Sequence, residues 1–139
     1  MFTALAAYGS EQADKTEHKH AGPLEHCAKV CTDCMRECAS CSNHCARLVA
    51  SGKKEHLTTL KTCSDCADFC GSAAKIASRH GPLAVTICEG CAKACDVCGA
   101  ACEKTEDDKH MQRCAKACRD CAKACRDMIK RVGHGGQSK

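Results

Sequence analysis

The sequence predicts an all-α chain, an antiparallel up-down-up-down four-helix bundle with a Cys-lined core, and three observations predict it. Its 18 cysteines fall into four groups, and within each group every spacing is three or four residues. That is the period of a helix seam packed against neighbours. Glycine, proline and capping residues separate the groups. The usual core formers are scarce: Leu, Ile, Val and Phe number 16 of 139 residues, about 12%, where roughly 20% is the level below which chains tend to disorder. Free cysteine is a small, readily buried apolar residue, so sulfur takes the place of the core.

The first helix, expected over 24–49, carries Cys27, Cys31, Cys34, Cys38, Cys41 and Cys45, spaced four, three, four, three and four apart, and stops at Ser51-Gly52. The second, over 54–79, carries Cys63, Cys66 and Cys70 and ends before Gly81-Pro82. Cys88, Cys91, Cys95, Cys98 and Cys102 mark the third, over 83–104. Cys114, Cys118, Cys121 and Cys125 mark the fourth, over 106–132, where Thr105 with Asp108 three residues on resembles a capping box. Short connections favour antiparallel neighbours.

The bundle is read as one domain, residues 23–132, with a mobile tail at 1–22 and a flexible one at 133–139. His18 and His20 are read as part of the solvated tail. At one end Leu24, Ile76, Leu83, Met128 and Val132 are expected to form an apolar plug.

Net charge is +4, with 27% of residues charged and the two signs interleaved. No Trp, one Tyr and two Phe leave little for base stacking, which argues against nucleic acid. The start, MFTALAAYGSEQADKTEHKHAGP, lacks a basic n-region and a twin arginine, and no segment is apolar enough for a bilayer. A cytoplasmic location with reduced thiols is therefore expected.

Three stripes repeat CAKxCxxCxxxC, at 27, 91 and 114. Their Lys29, Lys93 and Lys116 belong to a solvated face, from which a cation also favours thiolate. On a helix, i and i+4 have Cβ atoms about 5–6 Å apart. Two sulfurs on one ion, at roughly 2.3 Å each, lie at most about 4.6 Å apart. Eight disjoint CxxxC pairs meet that condition: 27/31, 34/38, 41/45, 66/70, 91/95, 98/102, 114/118 and 121/125. Cys63 and Cys88 remain for contacts between helices. Thiolates select Cu(I), Zn(II) and iron–sulfur clusters. Buried thiolates need counterions, and Cu(I) neutralises them one for one, whereas tetrahedral zinc without shared sulfur stops at about four sites.

In length, four Cys-striped helices, repeated CxxxC pairs and missing export signal, the chain resembles the cytosolic bacterial copper storage proteins over about residues 24–132. The resemblance implies a homotetramer of four-helix bundles holding Cu(I) along the core, about one ion per Cys. It also implies an open end lined with His or Met through which Cu(I) arrives. By helix order His56, His110 and Met111 lie at that end, near Cys45 and Cys102. Met111 continues the fourth seam. His56 and His110 are read either as copper-handling groups or as polar residues at helix starts. His44 and Met35 lie off the seam and are read as surface.

Four other readings compete. A zinc or general metal buffer fits the thiols but not the regular helices. The Cx3Cx2C spacing of an iron–sulfur centre occurs four times, as seam arithmetic would produce, and the bacterial ferredoxin run is absent. A disulfide-stapled bundle fits the spacing, yet a staple within one helix closes a tiny loop and adds little. No catalytic constellation is present, so the chain is not read as an enzyme.

Overall fold

The computed structural model of the protein describes residues 22–135. Four helices run α1 Pro23–Ala50, α2 Leu57–Ser78, α3 Ala84–Glu103 and α4 Lys109–Gly135, with a 3-10 turn at Lys54–His56 before α2. Among the described residues there is no strand. Apart from residues 22 and 133–135, the two expected tails lie outside the described residues, as do His18 and His20. Residues 133–135 continue α4 rather than begin a tail.

The helix ends follow local chemistry. Pro23 opens α1, where its missing N–H costs nothing. Gly52 takes a positive φ of 98°, and Lys53 N–H donates to the Leu48 carbonyl at 3.0 Å, the hydrogen-bond pattern that closes a helix behind a left-handed residue. At the end of α2 the left-handed residue is His80, φ 52°, and not the adjacent Gly81. Gly81 N–H closes the turn on the Ile76 carbonyl at 3.0 Å, while the His80 ring reaches Glu25 at 2.8 Å.

The opening of α4 differs from the expected capping box. Asp108 is itself the cap: its Oδ1 accepts from the backbone N–H of His110 at 2.9 Å and of Met111 at 3.1 Å. The helix therefore begins at Lys109, three residues later than expected. A carboxylate here is also favoured by the helix dipole.

In space α1 adjoins α2 and α4, and α3 adjoins α2 and α4, with each sequential pair antiparallel. This is the expected up-down-up-down square. All 18 cysteines face its axis, each at most 1% exposed. No N- or O-bearing polar side chain is buried among the described residues. Buried Ala28, Ala74, Ala92, Ala115, Ala122 and Ala124 flank the sulfurs and let the helices approach closely.

At the end where α1 and α3 begin, Met128 is buried, and Leu24 and Val132 pack against the core. Ile76 is half-buried. Leu83 does not join this plug, being 62% exposed. It precedes α3, and Ala84, four residues before Cys88, takes the inward position instead. Met35 is likewise not a surface residue: it lies half-buried between α1 and α2, close to Gly71, where a Cβ would meet its sulfur at 3.1 Å.

Candidate metal centre

All 18 cysteines are free thiols, which removes the disulfide-stapled reading. Their sulfurs form one continuous column. Cys27 contacts Cys31 at 3.9 Å, Cys88 at 3.8 Å and Cys125 at 3.8 Å, so three helices meet at that end. Contacts also cross the diagonals of the square, as between Cys34 and Cys95 at 3.9 Å and Cys70 and Cys121 at 4.0 Å. Only small side chains permit this; a Leu at these positions would hold opposite helices apart.

The intra-helical pairs are not the tightest unit. Pairs 27/31, 34/38 and 66/70 have sulfurs 3.9, 3.8 and 4.0 Å apart. The shortest contacts, 3.6 Å, all join different helices: Cys38 to Cys118, Cys70 to Cys95, Cys91 to Cys70, Cys98 to Cys63 and Cys121 to Cys31. At a metal–sulfur length of about 2.3 Å, a linear S–metal–S unit spans about 4.6 Å and a trigonal one about 4.0 Å. The unloaded core is thus narrower than linear clamps require and matches three- or four-sulfur environments.

Groups of four sulfurs lie within 4.8 Å of one another along the axis: Cys41, Cys63, Cys102 and Cys114; Cys38, Cys98, Cys114 and Cys118; Cys34, Cys66, Cys95 and Cys118; Cys34, Cys70, Cys95 and Cys121; Cys31, Cys91, Cys121 and Cys125. Successive groups share Cys114, Cys118, Cys34 with Cys95, and Cys121. Of these five, at most three have no sulfur in common, the first, third and fifth. Isolated tetrahedral sites would therefore leave several of these sulfurs unused, whereas bridging thiolates use the whole column.

Burial, then the charge of Cys41, pushes the Cys45 thiol up to about 12. Deeper in, hydrogen bonds from Cys114, Cys41 and Cys63 hold Cys102 below the ordinary thiol value. A cluster thus sustains a thiolate where neighbouring thiols donate to it, and further ionisation needs a cation.

At the end where α1 and α3 finish, a cleft of about 480 Å³ is lined by His44, His56, Asp108 and His110, with Leu48 and Lys53 beside them. Met111 is fully buried in line with the sulfurs, as the seam predicts. His110 and His56 lie in the cleft, so the helix order brings the expected residues to one end. His44, read as surface from sequence, belongs there too. Its ring stacks on His110, centroids 4.7 Å apart and planes within 2°. His44 Nε2 donates to Asp108 Oδ2 at 2.6 Å, and His110 Nε2 lies 3.1 Å from Ser40 Oγ. Burial raises the Asp108 carboxyl, but the hydrogen bond from His44 and those from the Met111 and His110 N–H groups bring it below its usual range. A faint signal for His44 was present: position 44 follows Cys41 by three, on the flank of the seam.

Residues 11–130 match the family described as copper storage protein, Csp. The chain belongs to the copper storage protein family. No curated protein sequence matches it. Among solved structures, the Cu(I)-bound copper storage protein BsCsp3 is 36% identical, with 78% of this chain and 99% of that chain covered at a TM-score of 0.69. Apo copper storage protein 3 from Bacillus subtilis is 38% identical over 74% of this chain and 95% of its own, TM-score 0.64. A cytosolic copper storage protein from Streptomyces lividans, loaded with five coppers, is 27% identical over 78% and 92%, TM-score 0.71. The copper storage fold thus accounts for the four helices and the buried sulfurs together.

Proposed function

We propose that the chain stores Cu(I) in the sulfur column, about one ion per Cys, with all 18 thiolates as ligands. The observation that carries this reading is the sharing of sulfurs between successive groups of four. One ion per thiolate requires each sulfur to bridge two ions and each ion to bind at least two sulfurs. A column of shared sulfurs meets that requirement and discrete sites do not. Charge agrees, because each Cu(I) cancels one thiolate in a core with no buried cation of its own. The Cu(I)-bound Csp relative and the Streptomyces protein loaded with copper support the choice of metal.

His110, His56 and Met111 receive the ion at the open end. Cu(I) meets imidazole in the cleft, then the Met111 thioether, then the thiolates of Cys45, Cys41 and Cys102. The order runs from harder to softer ligands, so transfer inward is downhill. His44 and Asp108 hold the rim in place. At the opposite end Met128, Leu24 and Val132 close the column.

Storage needs no turnover, so the chain acts as a sink and not as a catalyst. It works in the cytoplasm, as the Streptomyces relative described as cytosolic does, where thiols remain reduced. Among the described residues no helix is long and apolar enough to cross a membrane. The working unit is a homotetramer, a reading supported by the resemblance to cytosolic copper stores.

An anaerobic Cu(I) titration against a colour-forming Cu(I) chelator tests the reading. It predicts tight uptake to about one ion per thiol. Saturation near three or four ions, with Zn(II) bound equally well, would replace it with a zinc buffer.

A further inference from the structure

The sulfur column also divides into threes. Cys27, Cys31 and Cys125 close a triangle with edges of 3.9, 3.8 and 3.7 Å. Cys34, Cys38 and Cys118 close a second, with edges of 3.8, 3.9 and 3.6 Å. Cys66, Cys70 and Cys95 form a third, with edges of 4.0, 3.7 and 3.6 Å. The fourth shares Cys70, which stands 3.6 Å from Cys91 and 4.0 Å from Cys121, and it is closed by 3.9 Å between Cys91 and Cys121. The first three are built alike: a CxxxC pair on one helix and one cysteine of another, α4 for the two pairs of α1 and α3 for the pair of α2. Each set thus ties a local helix spacing to the packing of two helices, and the fold holds it in place before any ligand arrives.

Geometry and charge together select what a triangle takes. A centre bonded at about 2.3 Å to three sulfurs lies in their plane only when they are about 4.0 Å apart. These sulfurs are closer on average, so the centre stands out of the plane, as an atom with a lone pair requires. Charge narrows the choice further. No polar or charged side chain is buried in the core among the described residues, and a net charge left there is costly. A divalent ion leaves one negative charge on three thiolates and two on four. A trivalent centre leaves none, and it needs no sulfur to be shared.

We propose that the reduced chain binds a second cargo, trivalent arsenic taken up as arsenous acid, in these triangles. Trivalent arsenic is thiophilic, carries a lone pair and is present near neutral pH as uncharged As(OH)3, so it enters a dry core without a counterion. Three As–S bonds replace three As–O bonds. Each departing hydroxide takes the proton of one thiol and leaves as water, and neither arsenic nor sulfur changes oxidation state. Because Cys70 serves two of the four triangles, three of them can fill at once. The proposal stands on the free thiols and not on the copper capacity, so either reading can fail while the other holds.

Native mass spectrometry of the reduced, full-length apo chain, titrated anaerobically with sodium arsenite, tests it. Ligands held on one scaffold gain about 10²–10⁴ in affinity over separate ones, so against about a hundredfold excess of glutathione the chain is expected to keep three arsenic atoms, each replacing three thiol hydrogens. Cys118→Ser and Cys125→Ser each break one triangle and should each keep one arsenic fewer. The combined Cys70→Ser/Cys118→Ser/Cys125→Ser chain breaks all four triangles and should keep none. Cys41→Ser/Cys45→Ser/Cys88→Ser removes as many thiols, all outside the triangles, and should keep all three. Helical circular dichroism checks that each variant folds, and the two single variants carry the test if a triple variant does not. No arsenic retained by the unaltered chain would overturn the proposal. So would adducts that keep a hydroxyl on arsenic, which two thiols would give, or equal losses in the two triple variants, which would mean that the thiols act without regard to their arrangement.

Discussion

Cys95 is the most informative single thiol to remove. It is fully buried, it contacts Cys34 at 3.9 Å, Cys66 at 3.7 Å and Cys70 at 3.6 Å, and it belongs to two of the groups of four. Cys95→Ala removes one sulfur and leaves a small void. The transfer loss is that of about one methylene, roughly 0.8 kcal/mol, and the void makes the total about 1–2 kcal/mol of apo stability. Cys95→Ser keeps the volume but sets a hydroxyl among poor hydrogen-bond acceptors, so a cost of about 1–3 kcal/mol follows. The copper balance differs. If each thiolate bridges two ions, deleting one sulfur removes one ion net, and two if both neighbours lose adequate coordination. An anaerobic titration should therefore end about one or two ions below the unaltered chain, with the remaining affinity little changed. Chemical denaturation gives the stability change in parallel. Loss of no ions would mean that Cys95 is not a ligand. Loss of half the capacity would mean that the column fills as an all-or-none unit and that shared sulfurs do not make it redundant.

Further predictions concern protons, geometry and the mouth. Because Cys45 is raised from 9.0 to about 12 in the folded chain, its contribution to apo stability is full below about pH 9 and is lost as pH rises through about 12. Denaturant melts of the reduced apo protein should show stability falling between about pH 9 and about 12, and a rise there would contradict the burial argument. Thiols enter the metal-bound state as thiolates, so loading near neutral pH should release nearly one proton per ion, measurable by calorimetry in buffers of different ionisation enthalpy. Since the unloaded sulfurs stand 3.6–4.0 Å apart, X-ray absorption on partly loaded protein should report an average sulfur coordination above two; a value of two throughout would require the core to widen. His110→Ala should slow Cu(I) uptake and leave the final capacity unchanged, read by stopped-flow transfer from a Cu(I) chelator. Asp108→Ala removes the cap of α4 and the acceptor of His44, and should lower apo stability by about 1 kcal/mol or more.

The helices and the inward face of every cysteine were legible because three-and-four spacing has one solution, a seam, and because so few other apolar residues compete for the interior. The opposite fates of Leu83 and Ala84 were less legible. Both are apolar, but Ala84 lies four residues before Cys88 and keeps the seam register, while Leu83 lies five before it, ahead of the helix, and stays exposed. Thr105 and Asp108 are both good caps, and spacing alone does not say which one holds the helix. His44 reads as a surface residue from sequence for a different reason. Its place in the cleft comes from Asp108 and His110, more than sixty residues away, and a seam pattern within one helix carries no information about them. The same holds for sulfur contacts between helices, which proved shorter than the i, i+4 pairs that the sequence displays.

Storage along the whole sulfur column is decided by how many Cu(I) ions the thiols of one chain hold. Anaerobically loaded protein, freed of weakly bound metal and analysed by native mass spectrometry together with thiol alkylation, gives that number directly. The expected result is about 18 ions per chain, one for each of the 18 cysteines, with every thiol protected from alkylation. A chain saturated at a few ions, with most of its cysteines still open to the reagent, would contradict it.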